Sequence, residues 1–298
     1  MLADLDLLLI AVFCAADDLL PKRAKNARRI VTDAEVVTLC VAQAMMGIPS
    51  DPRFLAAARK RLGHLFPQLP DRDGFYKRRE RLSNVIEALI AEFAAHSPGS
   101  TDDVLLVDST PVECARSRET VKRGGHSSLD DALANAADYG YCASHSRFFY
   151  GFRLHTLFAM DGTPRALALT SPKVDEKQVC LEMVARCQRL PGQFLTLIGD
   201  KNFRGKQFEA DLATLDAAIH RPRRKDEPAT GLHLAQIRQR IESIYWSAKD
   251  VLTLERHGAR PLHGLRPRLA CRFLALAAAV ALNHRLGLPT RSLAQYTA

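Results

Sequence analysis

LTLIGDKNF, residues 195–203, runs apolar and β-favouring residues and a glycine straight into Asp200. Such a run predicts a short buried strand, so the carboxylate falls where the strand ends. A second segment, VLLVDSTPV at 104–112, repeats the pattern, with Asp108 interrupting the apolar residues. Taken singly, an aspartate at a strand end is an ordinary turn former or helix cap. Two on neighbouring strands mean more, because ligands of open α/β sheets gather where carboxyl ends of adjacent strands form a crevice.

Working outward, strand-like runs are expected at about 104–110, 149–160, 165–170, 194–199 and 217–220, the second and third joined through DGTP at 161–164. Helical stretches are expected at 175–189, 204–214 and 232–254. Three strands followed by alternating strands and helices predict a mixed sheet with flanking helices. In this order the first strand neighbours the one ending at Asp200. The polar segment 113–148 reads as a long insertion.

The first hundred residues read as helical. TDAE at 32–35 is a capping box, with Thr32 as N-cap and Glu35 reaching back, and Gly47 should end that helix. Asp51 is expected to cap a further helix with Pro52 in its first turn. Leu82, Val85, Ile86, Leu89 and Phe93 form an apolar stripe at helical spacing. HSPGS at 96–100 is a breaker cluster. The expected division is therefore a helical domain at 1–98 and an α/β domain at 101–298.

The chain has 298 residues, 47% of them apolar and 25% charged, an ordinary globular balance. A formal charge of +9 favours a polyanionic partner, although merely basic proteins share it. The seven cysteines are scattered without C-x-x-C pairing, which points to reduced thiols in a cytoplasmic protein rather than a zinc site. LLLIAVFCAA at 7–16 and FLALAAAVAL at 273–282 are too short to cross a bilayer as helices and read as buried helices.

A third acid comes from LAQIRQRIESIYWSAKDVL, residues 234–252. Leu234, Ile237, Ile241, Tyr245, Ala248 and Leu252 line one helical face, and Arg238, Glu242 and Lys249 fall along its edge. The plain alternative is a surface Arg–Glu pair four residues apart. Three converging carboxylates need cations to remain ionised together. Mg²⁺ or Mn²⁺, hard ions with oxygen ligands, suit them. Two such ions about 3.5–4 Å apart can clamp the attacking and leaving oxygens of a phosphodiester.

At these residues the sequence resembles the DDE transposases of bacterial insertion sequences. VDSTPV (107–112) is similar to that family's first-Asp motif and LIGDKNF (197–203) to its second. Arg238, Glu242 and Lys249 reproduce most of a Tyr-x2-Arg-x3-Glu-x6-Lys signature of the insertion-sequence-four/five-like superfamily. YGFRLHTLFAMDG (150–162) and ALTSPKVDEKQ (168–178) resemble that group's stretch between the first two acids, and the N-terminal TDAEVVTLCVAQAMMGIPSDPRFL (32–55) resembles its nine-eighty-two branch, to which the chain looks closest. Ala235 stands at the signature's Tyr, and Asn202 where glycine is usual, a tolerable exchange if φ there is positive.

The resemblance implies that 1–98 is a DNA-binding domain with room for a helix-turn-helix and that 101–298 is a ribonuclease H-like catalytic domain with Asp108, Asp200 and Glu242 as metal-binding catalytic residues and two Mg²⁺ (or Mn²⁺) ions per site. It implies that water first nicks the element's end and that the freed 3′-OH attacks target DNA. The partners implied are the terminal inverted repeats, target DNA and a second copy of the chain, with no membrane, in the bacterial cytoplasm at the nucleoid. Arg238 and Lys249 are expected to grip phosphates. Further contacts are expected from Arg116, Arg118, Lys122 and Arg123, and from Arg221, Arg223 and Arg224, while PKRAKNARR (21–29) and YKRRER (76–81) add basic runs. His155 and Trp246 read as packed core residues rather than site residues. The rival readings are a ribonuclease H-like nuclease without strand transfer and an inactive, transposase-derived DNA-binding protein.

Overall fold

A computed structural model describes residues 4–22, 30–115, 137–142, 146–223, 234–259 and 262–297. The chain forms two compact units: Met1–Ser97 together with Trp246–Ala298, and Pro98–Tyr245. The break falls within HSPGS. The last 53 residues, which the sequence reading attached to the catalytic domain, belong instead to the first unit. The reason is packing: their helix supplies apolar surface that the N-terminal helices need.

The first unit contains α1 (Leu5–Leu19), α2 (Asp33–Met45), α3 (Asp51–Arg61), α4 (Arg72–Arg81) and α5 (Ser83–Ala95). The capping box forms: Glu35 N–H donates to Thr32 Oγ1 at 3.1 Å and Thr32 N–H to Glu35 Oε2 at 2.5 Å. Asp51 is no cap. Ser50 precedes α3, and Asp51 is buried in an ion pair with Arg79. The unit closes on a long helix from the far end of the chain, Leu262–Arg285, whose segment Leu265–Asn283 is buried apart from one exposed turn residue. The YKRRER run is not a free basic face. Arg78 and Arg81 bind Asp33, while Arg79 is 1% exposed.

The second unit is a six-stranded mixed sheet of β1 (Val104–Ala115), β2 (Asp138–Cys142), β3 (Arg147–Ala159), β4 (Pro164–Thr170), β5 (Leu195–Ile198) and β6 (Ala217–His220). β1 runs antiparallel to β3 and parallel to β5, and β5 runs parallel to β6. β2 and β4 pair with successive halves of β3. Three further helices belong to this unit: α6 (Glu176–Arg186), α7 (Lys206–Ala213) and α8 (Ala235–Trp246); the C-terminal helix of the first unit is α9. One sheet face, with Leu105, Val107, Leu157, Leu195 and Leu197, packs on Val179, Met183 and Val184 of α6 and on Phe208 and Leu212 of α7. Strand alternation sends Leu106, Asp108, Thr156 and Phe158 to the other face. There α8 docks, its Tyr245 ring edge-on to Phe158 at 6.1 Å.

Candidate active site

The β1–β5 pairing fixes the two aspartates. Its register is Val104↔Thr196, Leu105↔Leu197 and Leu106↔Ile198. Two residues beyond the last pair come Asp108 on one strand and Asp200 on the other. Parallel neighbours lie about 4.8 Å apart, and an even step leaves both side chains on the α8 face. Gly199 permits this approach: a Cβ there would lie 2.8 Å from Phe203 Cδ2 and 2.9 Å from Val107 Cγ1.

Both carboxylates are half-buried and locally held. Asp108 Oδ1 accepts the Ser109 N–H at 2.8 Å. Asp200 caps the single turn Lys201–Phe203: its Oδ1 accepts the Asn202 N–H at 2.7 Å and its Oδ2 the Asn202 side-chain amide at 2.9 Å. Asn202 has no positive φ, so it does not replace glycine for conformational reasons. Its side chain orients Asp200, a role the sequence reading missed.

Tyr245 anchors α8 to the same place. Its hydroxyl lies 2.6 Å from Thr156 Oγ1 and donates to the Asp108 carbonyl at 3.1 Å. Burial, followed by the charge of Asp108, pushes the phenol well above its ordinary value, so it remains protonated and able to donate. Tyr245→Phe leaves the buried Thr156 hydroxyl without its partner and frees the Asp108 carbonyl. The expected cost is about 1–3 kcal/mol, read from the urea midpoint; an unchanged midpoint would remove Tyr245 as an anchor.

Glu242 lies on α8 one turn before Tyr245 and is exposed. Among the described residues, no three His, Cys, Asp or Glu side chains stand together closely enough to hold a metal ion. The fold thus sets Asp108 beside Asp200 and docks the helix of Glu242 on their face, without bringing Glu242 into one cluster with them. The α-helical phase behind the expected Arg238–Glu242–Lys249 edge ends at Trp246, where a π-helical turn, Ser247–Val251, begins. Lys249 lies in that turn, its Nζ 3.7 Å from Glu255. The side chain of Arg238 and residues 116, 118, 122, 123 and 224 lie outside the described residues. Arg221, half-buried, and Arg223, exposed, follow β6.

Arg153 was not singled out from sequence. It sits on β3 opposite Pro111, pairs with Glu176 and donates to the Tyr141 carbonyl at 3.1 Å. Burial lowers its pKa, and the charges of Asp108 and Asp200, among others, oppose that shift. The signal lay in FRLHTLF, where Arg153 and His155 alternate onto one face.

His155 is a core residue, 2% exposed, with Nε2 2.9 Å from Thr170 Oγ1. Burial, then the charge of Arg153, lowers its pKa from 6.5 to about 4. Unfolded, the imidazole takes up a proton below about 6.5; folded, only below about 4. Between those values the unfolded chain binds more protons, so stability falls as pH falls, by up to ~3 kcal/mol. A His155→Gln variant is expected to flatten that part of the stability–pH curve; an unaltered slope would assign the acid sensitivity elsewhere. Trp246 departs from expectation: it is 62% exposed rather than packed.

No disulfide joins any of the seven cysteines. No helix among the described residues is long and apolar enough to cross a membrane. No curated protein and no solved structure matches the chain. The family model described as "Transposase DDE domain" matches residues 99–278, from just before β1 into α9. The stretch contains Asp108, Asp200 and Glu242 and covers more than half of the sequence. The chain therefore belongs to the DDE transposases.

Proposed function

We propose that the protein cleaves the ends of an insertion sequence and joins the freed 3′-OH to target DNA, with Asp108, Asp200 and Glu242 as its catalytic carboxylates. The observation carrying this reading is the parallel β1–β5 register, which puts Asp108, within β1, level with Asp200, just past the end of β5. The strand order, with four strands, β1 to β4, joined by antiparallel pairings and then parallel β5 and β6, supports a ribonuclease H-like catalytic domain. The helices of Met1–Ser97, in one unit with Trp246–Ala298, suit a DNA-binding role.

The donor set fits Mg²⁺ or Mn²⁺: half-buried carboxylate oxygens on one sheet face, with a third carboxylate on the helix docked there. When bound, two such ions supply charge neutralisation and Lewis-acid polarisation at the phosphate. Asp108 and Asp200 would hold them, with Asn202 keeping Asp200 oriented, and Glu242, exposed on α8 and not clustered with them, would complete the set. In joining, the 3′ oxygen of the element bonds to a target phosphorus while that phosphorus releases the neighbouring 3′ oxygen, so one phosphodiester replaces another. Arg238, Lys249, Arg221 and Arg223, with the basic residues of 116–123 and Arg224, hold DNA phosphates. Two ends handled together make a homodimer on DNA the working assembly.

The test is incubation with Mg²⁺ or Mn²⁺, a duplex carrying the element's own ends and a target plasmid. Cleavage with joining supports the transposition reading. Cleavage without joining moves the protein to a nuclease, and end binding without chemistry in either ion makes it an inactive copy.

A further inference from the structure

The helical unit pairs the arginines of α4 and leaves the cations of α3 alone. Arg78 and Arg81 bind Asp33, Arg79 binds Asp51, and Arg72 binds Asp73. Arg53, Arg59, Lys60 and Arg61 of α3 are exposed, and among the described residues none of them has a hydrogen-bond or ion-pair partner. The one acid of α3, Asp51, is buried and engaged by Arg79 and Arg268. The exposed surface of α3 therefore carries four positive charges and no carboxylate.

Helix geometry gathers these charges on one side. Phe54 and Ala58 are buried beneath α3, followed by Leu62, and the Phe54 ring stacks on Phe75 of α4 with centroids 5.8 Å apart. At about 100° per residue, Arg53, Ala56, Arg59 and Lys60 fall within about 120° on the opposite side, with Arg61 flanking them. Arg53 and Lys60 stand two turns apart, about 10 Å along the axis, with the small Ala56 between them. Helix stability accounts for only part of this pattern. Arg59, Lys60 and Arg61 lie in the last turn, where cations favour the helix dipole, but Arg53 lies in the first, where a cation opposes it. The mutual repulsion of the set is left for an outside anion to relieve.

We propose that the outer face of α3 seats on duplex DNA and grips its backbone phosphates, with Arg53 at one end of the face and Arg59 and Lys60 at the other. A helix about 10–12 Å across matches the major groove of B-DNA, about 12 Å wide, and leaves cations on either side to meet the strands that border it. Ala56 at the centre lets the helix approach closely. The face has no Asn or Gln to read adenine, and its free cations suit contacts that position the protein rather than select a sequence. The proposal rests on the DNA-binding role given to this unit and is independent of the acid pair on the sheet.

The test uses the full chain in EDTA, so that binding is read without cutting. A labelled duplex of about 30 base pairs and arbitrary sequence is titrated by fluorescence anisotropy between about 50 and 200 mM salt. Arg53→Gln, Arg59→Gln and Lys60→Gln combined should weaken binding about tenfold or more at the lower salt. They should also flatten the slope of log K against log salt by about 2–3. The three side chains are exposed and hold no other group, so the melting temperature should not change. Ala56→Glu, which sets a carboxylate in the middle of the face, should weaken binding several-fold with the fold equally intact. Arg186→Gln, Lys206→Gln and Arg285→Gln combined remove the same charge from exposed positions on α6, α7 and α9 and should cost less than about threefold. Equal losses in the two triple variants, an unchanged salt slope in the α3 triple, or wild-type affinity in Ala56→Glu overturns the proposal. A chain that binds as expected but does no chemistry in Mg²⁺ or Mn²⁺ upholds the role of α3 and removes the catalytic reading instead.

Discussion

Asp200→Asn is expected to lose end cleavage and strand joining together, by about 10³-fold or more, with the fold intact. The change keeps the shape of the side chain and an oxygen for the Asn202 N–H, now 2.7 Å away. It removes the negative charge, and the new amide meets the Asn202 amide, donor against donor, where Oδ2 now accepts at 2.9 Å. Loss of one preorganised electrostatic group in a phosphoryl or acyl transfer site commonly costs about 10²–10³-fold, and a carboxylate that also holds metal should cost at least as much. Asp108→Asn and Glu242→Gln should behave alike, since groups acting as one unit fail together rather than additively. Glu242 is exposed, so its exchange should move stability by no more than about 0.5 kcal/mol. Retention of activity within tenfold in Glu242→Gln would remove the third acid from the site and leave a two-carboxylate centre.

Asp51→Ala carries the second large effect, and it acts on stability rather than chemistry. The carboxylate binds two buried guanidiniums, Arg79 at 2.9 Å and Arg268 at 2.6 Å. Removing one partner of a buried pair strands the other charges, at a cost of about 3–5 kcal/mol. For a unit of this size that corresponds to a fall of about 10 °C in melting temperature. Burial alone would raise the Asp51 pKa, but hydrogen bonds and charge from Arg79, the charge of Arg268 and the Gln43 amide hold it below the ordinary carboxylate value. A depressed carboxylate pKa contributes stability that is fully present above the unfolded value. That contribution is lost as pH falls through the folded one. The wild type should therefore weaken on acidification below the carboxylate range, and the Asp51→Ala variant less so. A loss below about 1 kcal/mol in Asp51→Ala would mean that the guanidiniums find another counter-charge.

Local signals in the sequence located most elements. The Thr32–Glu35 box, the apolar run at 273–282 and the stripe of α8 each depend on residues within a few turns of one another. The adjacency of Asp108 and Asp200 was legible because strand order follows from connection type. The C-terminal reach of β1 was less so, since Pro111 argues against a central strand. It is tolerated because β1 has a β5 neighbour only over Val104–Leu106. β2 was hidden in a polar insertion, where Tyr139 and Tyr141 lie outward and only its β3 partner makes it a strand. Asp51 was misread for a physical reason: its position before Pro52 is a capping signal, while its partners Arg79 and Arg268 lie 28 and 217 residues away. Within the site, the hydrogen-bonding roles of Asn202 and Tyr245 were missed because each acts through a bond to an aspartate, which no spacing announces.

The helical unit is assembled from both ends of the chain, with Pro98–Tyr245 lying between them in sequence. On a ribosome this imposes an order of events. The N-terminal helices emerge first, yet α9, which carries Arg268, Arg272 and a nearly continuous buried run, comes out last. At about 5–20 residues per second, the N-terminal helices wait roughly 10–40 s for the segment that closes their core. The sheet between them can fold as it appears, because its pairings are complete by Tyr245. A nascent chain stopped before Leu262 therefore holds Asp108, Asp200 and Glu242 but leaves Asp51 and Arg79 without Arg268 and an apolar groove uncovered. Termination before α9 should yield a degradable fragment, so the number of active molecules depends on translation passing Arg285.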